Sequence, residues 1–151
     1  MGSLREDRSK ETSLWQWLKR AGDRMGKLCD LQRIEDSTKK GTPDVEGCLD
    51  GETFWCELKV AHEMAGGRWR VKLTTAQVLT ARRRRRARGR SWVLVRVGSS
   101  PCRHYLFDGL DVEQLHEAAA PLTEVQLQSG SVLAGADASA STIIETLAGK
   151  T

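Results

Sequence analysis

No stretch of this chain is apolar for long enough to cross a bilayer, so a membrane span is not expected. The N-terminal Met-Gly-Ser-Leu-Arg-Glu-Asp-Arg lacks the apolar centre of a secretory signal, which points to a reducing, cytoplasmic setting. Cysteines are few and scattered: Cys29, Cys48, Cys56 and Cys102 form no Cys-x-x-Cys pair and have no histidine at finger spacing. That argues against structural zinc and for free thiols. His62, His104 and His116 have no spacing that builds a metal or nucleophile site. With one Tyr and two Phe, most aromatic surface rests in Trp15, Trp17, Trp55, Trp69 and Trp92, which are expected to anchor a core or interface. Trp69, set among basic residues, is also a candidate DNA contact.

Acids are missing where bases crowd. Between Arg68 and Arg90 there are ten basic residues and no Asp or Glu, with an unbroken arginine run from Arg82 to Arg86. The formal charge is +4, but from residue 121 onward Lys150 stands against Glu124, Asp137 and Glu145, leaving about +6 on residues 1–120. At 151 residues, 39% hydrophobic, the chain suits one globular unit. Residues 1–120 are read as that domain, with its core at about 11–108. Residues 1–10 read as a loose leader, and the Ser-, Ala- and Gly-rich residues 121–151 as a loosely ordered tail with a short apolar patch at Thr142 to Leu147.

Within the domain, Leu14, Trp17, Leu18 and Ala21 form one stripe of a helix from Glu11 to about Ala21. Strands are expected at Leu28 to Asp36, Val45 to Leu49 and Thr53 to Val60, the last two joined by the Asp50-Gly51 turn. Thr74 or Thr75 caps a second helix running to about Arg88, which Gly89 ends. Ser91 to Val97 is a further strand, His104 to Phe107 an edge strand, and Asp111 to Ala119 a third helix.

The turn fixes a register. If Asp50-Gly51 is a two-residue loop, Leu49 faces Glu52 and Asp44 faces Glu57. Opposed carboxylates about 5 Å apart repel unless a cation joins them, and Mg²⁺ takes such hard oxygen ligands. Alternation puts Phe54, Cys56, Leu58 and Val60 on one face and Trp55, Glu57 and Lys59 on the other. Beside a metal, the Lys59 ammonium would stabilise negative charge on a reacting phosphate or orient water. The plainer alternative is a surface hairpin with cross-strand charges.

Gly41-Thr42-Pro43-Asp44 followed by Glu57-Leu58-Lys59, with Gln77 on the next helix, resembles the PD-(D/E)XK nuclease superfamily and its VRR-NUC branch, including stand-alone proteins of bacteriophage type. The similarity covers about residues 11–97. It implies an α/β, restriction-endonuclease-like core: helix, three strands, helix, strand, with a central mixed sheet flanked by helices. It also implies that Asp44, Glu57 and the Leu58 carbonyl hold Mg²⁺, with Mn²⁺ able to substitute. Lys59 is then the catalytic lysine, Gln77 faces the site, and Glu11 or, alternatively, Glu35 is the upstream acid. The stand-alone relatives resolve Holliday junctions as homodimers, so a structure-selective DNA endonuclease acting on branched DNA in a bacterial cytoplasm is the implied function. The alternative is a catalytically inactive DNA-binding or host-interaction module on the same fold.

Arg68, Arg70, Lys72, Arg82, Arg84, Arg85 and Arg88 are the expected DNA-phosphate contacts, giving strongly salt-dependent binding. A solubilising or localisation patch is the plainer reading of the same run. Gln77, Ala81, Arg84 and Arg88 share a helical stripe that would lead phosphates toward the acids.

Overall fold

A computed structural model describes residues 4–35, 40–133 and 137–150, with backbone only for 4–7. Helix α1 (Leu4–Arg24) precedes an antiparallel meander of β1 (Cys29–Arg33), β2 (Val45–Leu49) and β3 (Glu52–Val60). A short ribbon of β4 (His62–Met64) and β5 (Arg68–Arg70) leads into α2 (Thr75–Arg86). The chain then crosses back to β6 (Ser91–Val97), parallel to β3, and turns into β7 (Arg103–Asp108), antiparallel to β6. β8 (Leu122–Thr123), α3 (Glu124–Gly130) and α4 (Ala140–Leu147) complete it. The main sheet has the order β1-β2-β3-β6-β7, and β8 joins β5 in a small second sheet. This is the mixed α/β sheet flanked by helices that the sequence implies; its main-sheet elements follow the expected order of helix, three strands, helix and strand, with the unforeseen β4–β5 ribbon inserted before α2.

The sheet has two cores. On one face Leu14, Leu18 and Ala21 of α1 meet Phe54, Cys56 and Leu58 of β3. On the other, Val78 and Ala81 of α2 meet Val93, Val95, Tyr105 and Phe107. β3 therefore sends its even-numbered apolar side chains into the α1 core and its odd-numbered ones toward α2, as alternation requires.

Several expectations are corrected. Residues 4–10 are helical rather than a loose leader, residues 1–3 lying outside the described set. Their Leu, Arg, Glu and Lys favour helix, yet Arg8, Ser9 and Lys10 are exposed, so no apolar stripe advertises them. The first strand ends at Arg33, and Asp36, where it was expected to end, lies outside the described residues. α2 stops at Arg86, and Arg88, not Gly89, takes the left-handed conformation with φ +67°. Asp111 to Ala119 is not a helix, and only Glu113–Leu115 makes a single tight turn. There the backbone is drawn into pairing with Leu73, whose N–H donates to the Leu115 carbonyl and whose carbonyl accepts from Glu117 N–H.

The largest correction concerns residues 121–151. Within the described residues this segment is not a loose tail. Ile143, Ile144, Leu147 and Ala148 of the α4 region are fully buried in the α1 core, and Trp92 Nε1 donates to the Leu147 carbonyl at 3.1 Å. Tyr105 and Arg103 hold the α3 residue Glu124, at 2.6 Å and 2.7 Å. Burial of a single Ile or Leu is worth about 1.5–3 kcal/mol, and those few side chains outweigh a composition that reads as flexible. Ile144→Ala should therefore lower unfolding free energy by about 2–5 kcal/mol, measured by urea denaturation. A change below about 0.5 kcal/mol, typical of surface sites, would show that α4 does not belong to the core.

Candidate metal centre

The Asp50-Gly51 turn is a two-residue loop with both residues at positive φ, +49° and +82°, the conformation that lets flanking strands keep their twist. Leu49 faces Glu52 and Val45 faces Cys56, and Asp44, the residue just before β2, brings its carboxyl against that of Glu57. Gly41 has φ +84°, and any Cβ there would collide with the Ala76 carbonyl and the Thr80 hydroxyl of α2. Glycine thus lets the Gly41-Thr42-Pro43-Asp44 loop press onto that helix and hold Asp44 at the mouth of β2.

Asp44 is pinned at both ends. Its carbonyl accepts from Ile34 N–H at 2.7 Å, and its Oδ2 accepts from Leu58 N–H at 2.9 Å. Leu58 can reach it because the sheet hydrogen bonds of β3 alternate in direction. Trp55 and Ala61 donate toward β6 and its approach, to the Arg90 and Arg96 carbonyls, so even-numbered amides point the other way, toward β2. A strand residue's carbonyl points to the same side as its amide. The Leu58 carbonyl therefore points to the same side, past the start of β2 and toward the Asp44 carboxylate.

Glu57 is only 6% exposed. Gln77 Nε2 donates to its Oε1 at 2.7 Å, and Lys59 Nζ stands 4.0 Å from the same oxygen. Burial, then the neighbouring Asp44 carboxylate, push the Glu57 carboxyl well above its usual range, while Lys59 pulls the other way. The Glu11 charge adds to the upward push, so the first helix brings that half-buried acid to the same locality. Glu35 is exposed. Gln77 also accepts from Thr74 N–H at 2.9 Å while Thr74 Oγ1 accepts from Gln77 N–H, a reciprocal cap at the start of α2.

Asp44, Glu57, Lys59 and Gln77 are thus brought together, with Glu11 nearby. Among the described residues no group of three or more His, Cys, Asp or Glu side chains gathers to hold a metal. Two acids and a backbone carbonyl do suit a hard cation that keeps water or substrate oxygens in its remaining positions. The acid pair, one member buried and short of full neutralisation, is the feature such an ion would complete.

The basic residues divide. Arg85 Nε grips the Asp108 carboxylate at 3.0 and 3.1 Å, and Arg82 pairs with Glu113. Arg70 Nη1 donates to the Glu117 and Ala119 carbonyls. Arg84 lies 3.8 Å from the centre of the Trp55 ring. These predicted phosphate contacts hold the fold, whereas Arg68, Lys72 and Arg88 are exposed, as are Arg83 and Arg86, which sequence reasoning did not single out. The Gln77, Ala81 and Arg84 stripe does run along β3 from the acids to Trp55. Arg88 lies beyond the helix end.

No protein-family profile and no curated protein matches the chain. Among solved structures, a bacterial homing endonuclease is similar, with a TM-score of 0.49 and 16% identity, over 86% of this chain and 95% of that one.

A carboxyl raised by folding binds its proton more tightly in the folded chain, so stability falls as pH climbs from the ordinary glutamate value of 4.5 toward the raised one. Glu57→Gln keeps an oxygen for Gln77 and removes the buried charge. In chelator, its melting temperature should exceed that of wild type by a margin that widens from about pH 5 to about pH 8. A pH-independent margin, or a less stable variant at the upper end, would contradict the raised carboxyl.

Proposed function

We propose that this chain is a Mg²⁺-dependent endodeoxyribonuclease reacting at Asp44, Glu57 and Lys59. The observation that carries the reading is the acid pair, buried at Glu57 and half-buried at Asp44, with an ammonium 4.0 Å from it. A bound divalent ion would supply charge neutralisation and activation of water. Asp44, its carboxylate fixed by Leu58 N–H, and Glu57, fixed by Gln77, are its side-chain ligands, and the Leu58 carbonyl the third. Lys59 places positive charge against the non-bridging oxygens of the phosphate as it gains charge. Gln77 keeps the Glu57 carboxylate turned to the site, and Glu11 acts as the upstream acid.

The DNA backbone is held by exposed cations at both ends of β3. Arg83, Arg86 and Arg88 lie at its start and Arg68 and Lys72 beyond its finish. From Gln77 to Arg84 the helix spans roughly 10 Å, about three base-pair rises of duplex. The resemblance to stand-alone junction-resolving nucleases extends the reading to branched DNA cut by a homodimer.

Wild-type protein should nick or cut plasmid and four-way junctions with Mg²⁺ or Mn²⁺ and do neither in chelator. Asp44→Asn and Lys59→Met should each lower the rate by about 100-fold or more, with circular dichroism unchanged. Sedimentation should give a dimer that prefers junctions to linear duplex. Failure to cleave any DNA overturns the enzyme and leaves a binding module; a monomer indifferent to branching overturns the junction preference alone.

Binding in chelator provides a separate check on the arginines. Arg86→Gln with Arg88→Gln should flatten the slope of log affinity against log salt by up to about 2. Arg85→Gln should instead lower stability, because it leaves Asp108 without its guanidinium. An unchanged slope in the double variant would remove this end of β3 from the DNA path.

A further inference from the structure

Beyond the finish of β3 and β6 lies a half-open cavity of about 590 Å³, within the range of small-ligand sites. Its walls are of two kinds. Val60, Met64 and Trp69 supply apolar surface, while Lys10, Arg70, Lys72 and Arg96 supply positive charge against Glu63, the single acid that lines it among the described residues.

The two guanidiniums are held in place by uncharged partners. Arg96 donates through Nε to His104 Nε2 at 3.0 Å and through Nη1 to Ser13 Oγ at 3.4 Å. Burial and the Arg96 charge hold the His104 pKa down to about 4, so that ring is neutral. Arg70 donates to two backbone carbonyls. Neither set of bonds cancels a charge, and burial already disfavours the Arg96 cation. A cavity that pairs fixed, partly desolvated guanidiniums with an indole and a thioether matches a ligand having an anionic group beside a flat ring.

We propose that this cavity receives one unpaired nucleotide of a nucleic-acid strand, its base against Trp69 and Met64 and its phosphate on Arg96 and Arg70. A strand is favoured over a free nucleotide because the exposed Lys10 and Lys72 line the cavity besides Arg96 and Arg70, more cations than one phosphate requires. Val60 lines it from the face of β3 opposite Lys59, and Lys10 precedes Glu11, whose charge reaches Glu57, so a strand leaving the centre would pass the end of β3 to enter it. A base within duplex is stacked and paired and cannot enter, whereas a flipped, frayed or overhanging one can. The connection to the centre rests on the nuclease reading; the pocket's ligand chemistry does not.

The test uses full-length protein in chelator, where nothing is cleaved, with dye-labelled blunt duplex and the same duplex bearing a thymidine overhang. Anisotropy should show the overhang bound about tenfold more tightly. Trp69→Ala should abolish that preference. Because Trp69 also packs against the second core, Met64→Ser, at a site 38% exposed, provides a second variant and should reduce it several-fold. A 4-thiothymidine in the overhang should crosslink, on irradiation, to the peptide spanning Met64 to Trp69. Equal binding of both duplexes, or crosslinks confined to other peptides, overturns the pocket. Thymidine monophosphate competing at lower concentration than the overhang overturns its assignment to a strand. Overhang preference without metal-dependent cleavage retains the pocket and rejects the nuclease, and cleavage without the preference does the reverse.

Discussion

Two carboxylates held against each other, one of them shielded from water, are the constraint around which this fold is arranged. Opposed acids repel, and burying one raises the cost, so every neighbouring element contributes to holding them. The hairpin sets the register. The Leu58 amide engages Asp44, and α2 delivers an amide to Glu57. The collision-free approach of Gly41 to Ala76 lets the loop before β2 stay close to the same helix. None of these contacts neutralises the pair. Lys59, 4.0 Å from Glu57, offsets part of the repulsion.

The positive charge of the chain has two uses that sequence alone cannot separate. Arg85 and Arg82 are consumed in fastening α2 to the end of β7 and to the loop that follows, through Asp108 and Glu113. Arg103 fastens β7 to α3 through Glu124, which holds that carboxyl below its usual range. The exposed arginines then lie between anchored ones. Under the proposed function, cations on a helix whose orientation is already fixed would need less ordering when an anion binds.

The elements that alternate or repeat strongly are legible in the sequence. Ser91 to Val97 is found as expected, and the Asp50-Gly51 loop gives the register because its geometry is local. Asp44, Glu57 and Lys59 converge for the same reason, each lying a fixed number of residues from that turn. What is not legible depends on partners distant in the chain. The α4 helix becomes ordered only because Leu14, Leu18 and Trp92 await it, and Asp111 to Ala119 loses its helix to pairing with Leu73. Which arginines are anchored depends on Asp108 and Glu113, more than twenty residues away from their partners. Arg96 escapes notice since it sits in a strand of apolar residues, and only the folded sheet shows that it borders a cavity.

Gln77 connects these levels most directly. Its amide oxygen accepts the Thr74 N–H that the start of α2 would otherwise leave unpaired. The cap thereby turns the amide nitrogen outward, and it is that nitrogen which meets Glu57. A glutamate at this position would serve the cap equally well, since capping boxes accept either residue, but would aim a further oxygen at an acid already raised by Asp44. Asparagine would be too short to span the cap and the acid together. The requirement for glutamine thus arises from two demands, a donor for Glu57 and an acceptor for Thr74, and only a side chain with one of each at this length meets both. A local rule of helix initiation in this way sets the orientation of a group at the centre of the molecule.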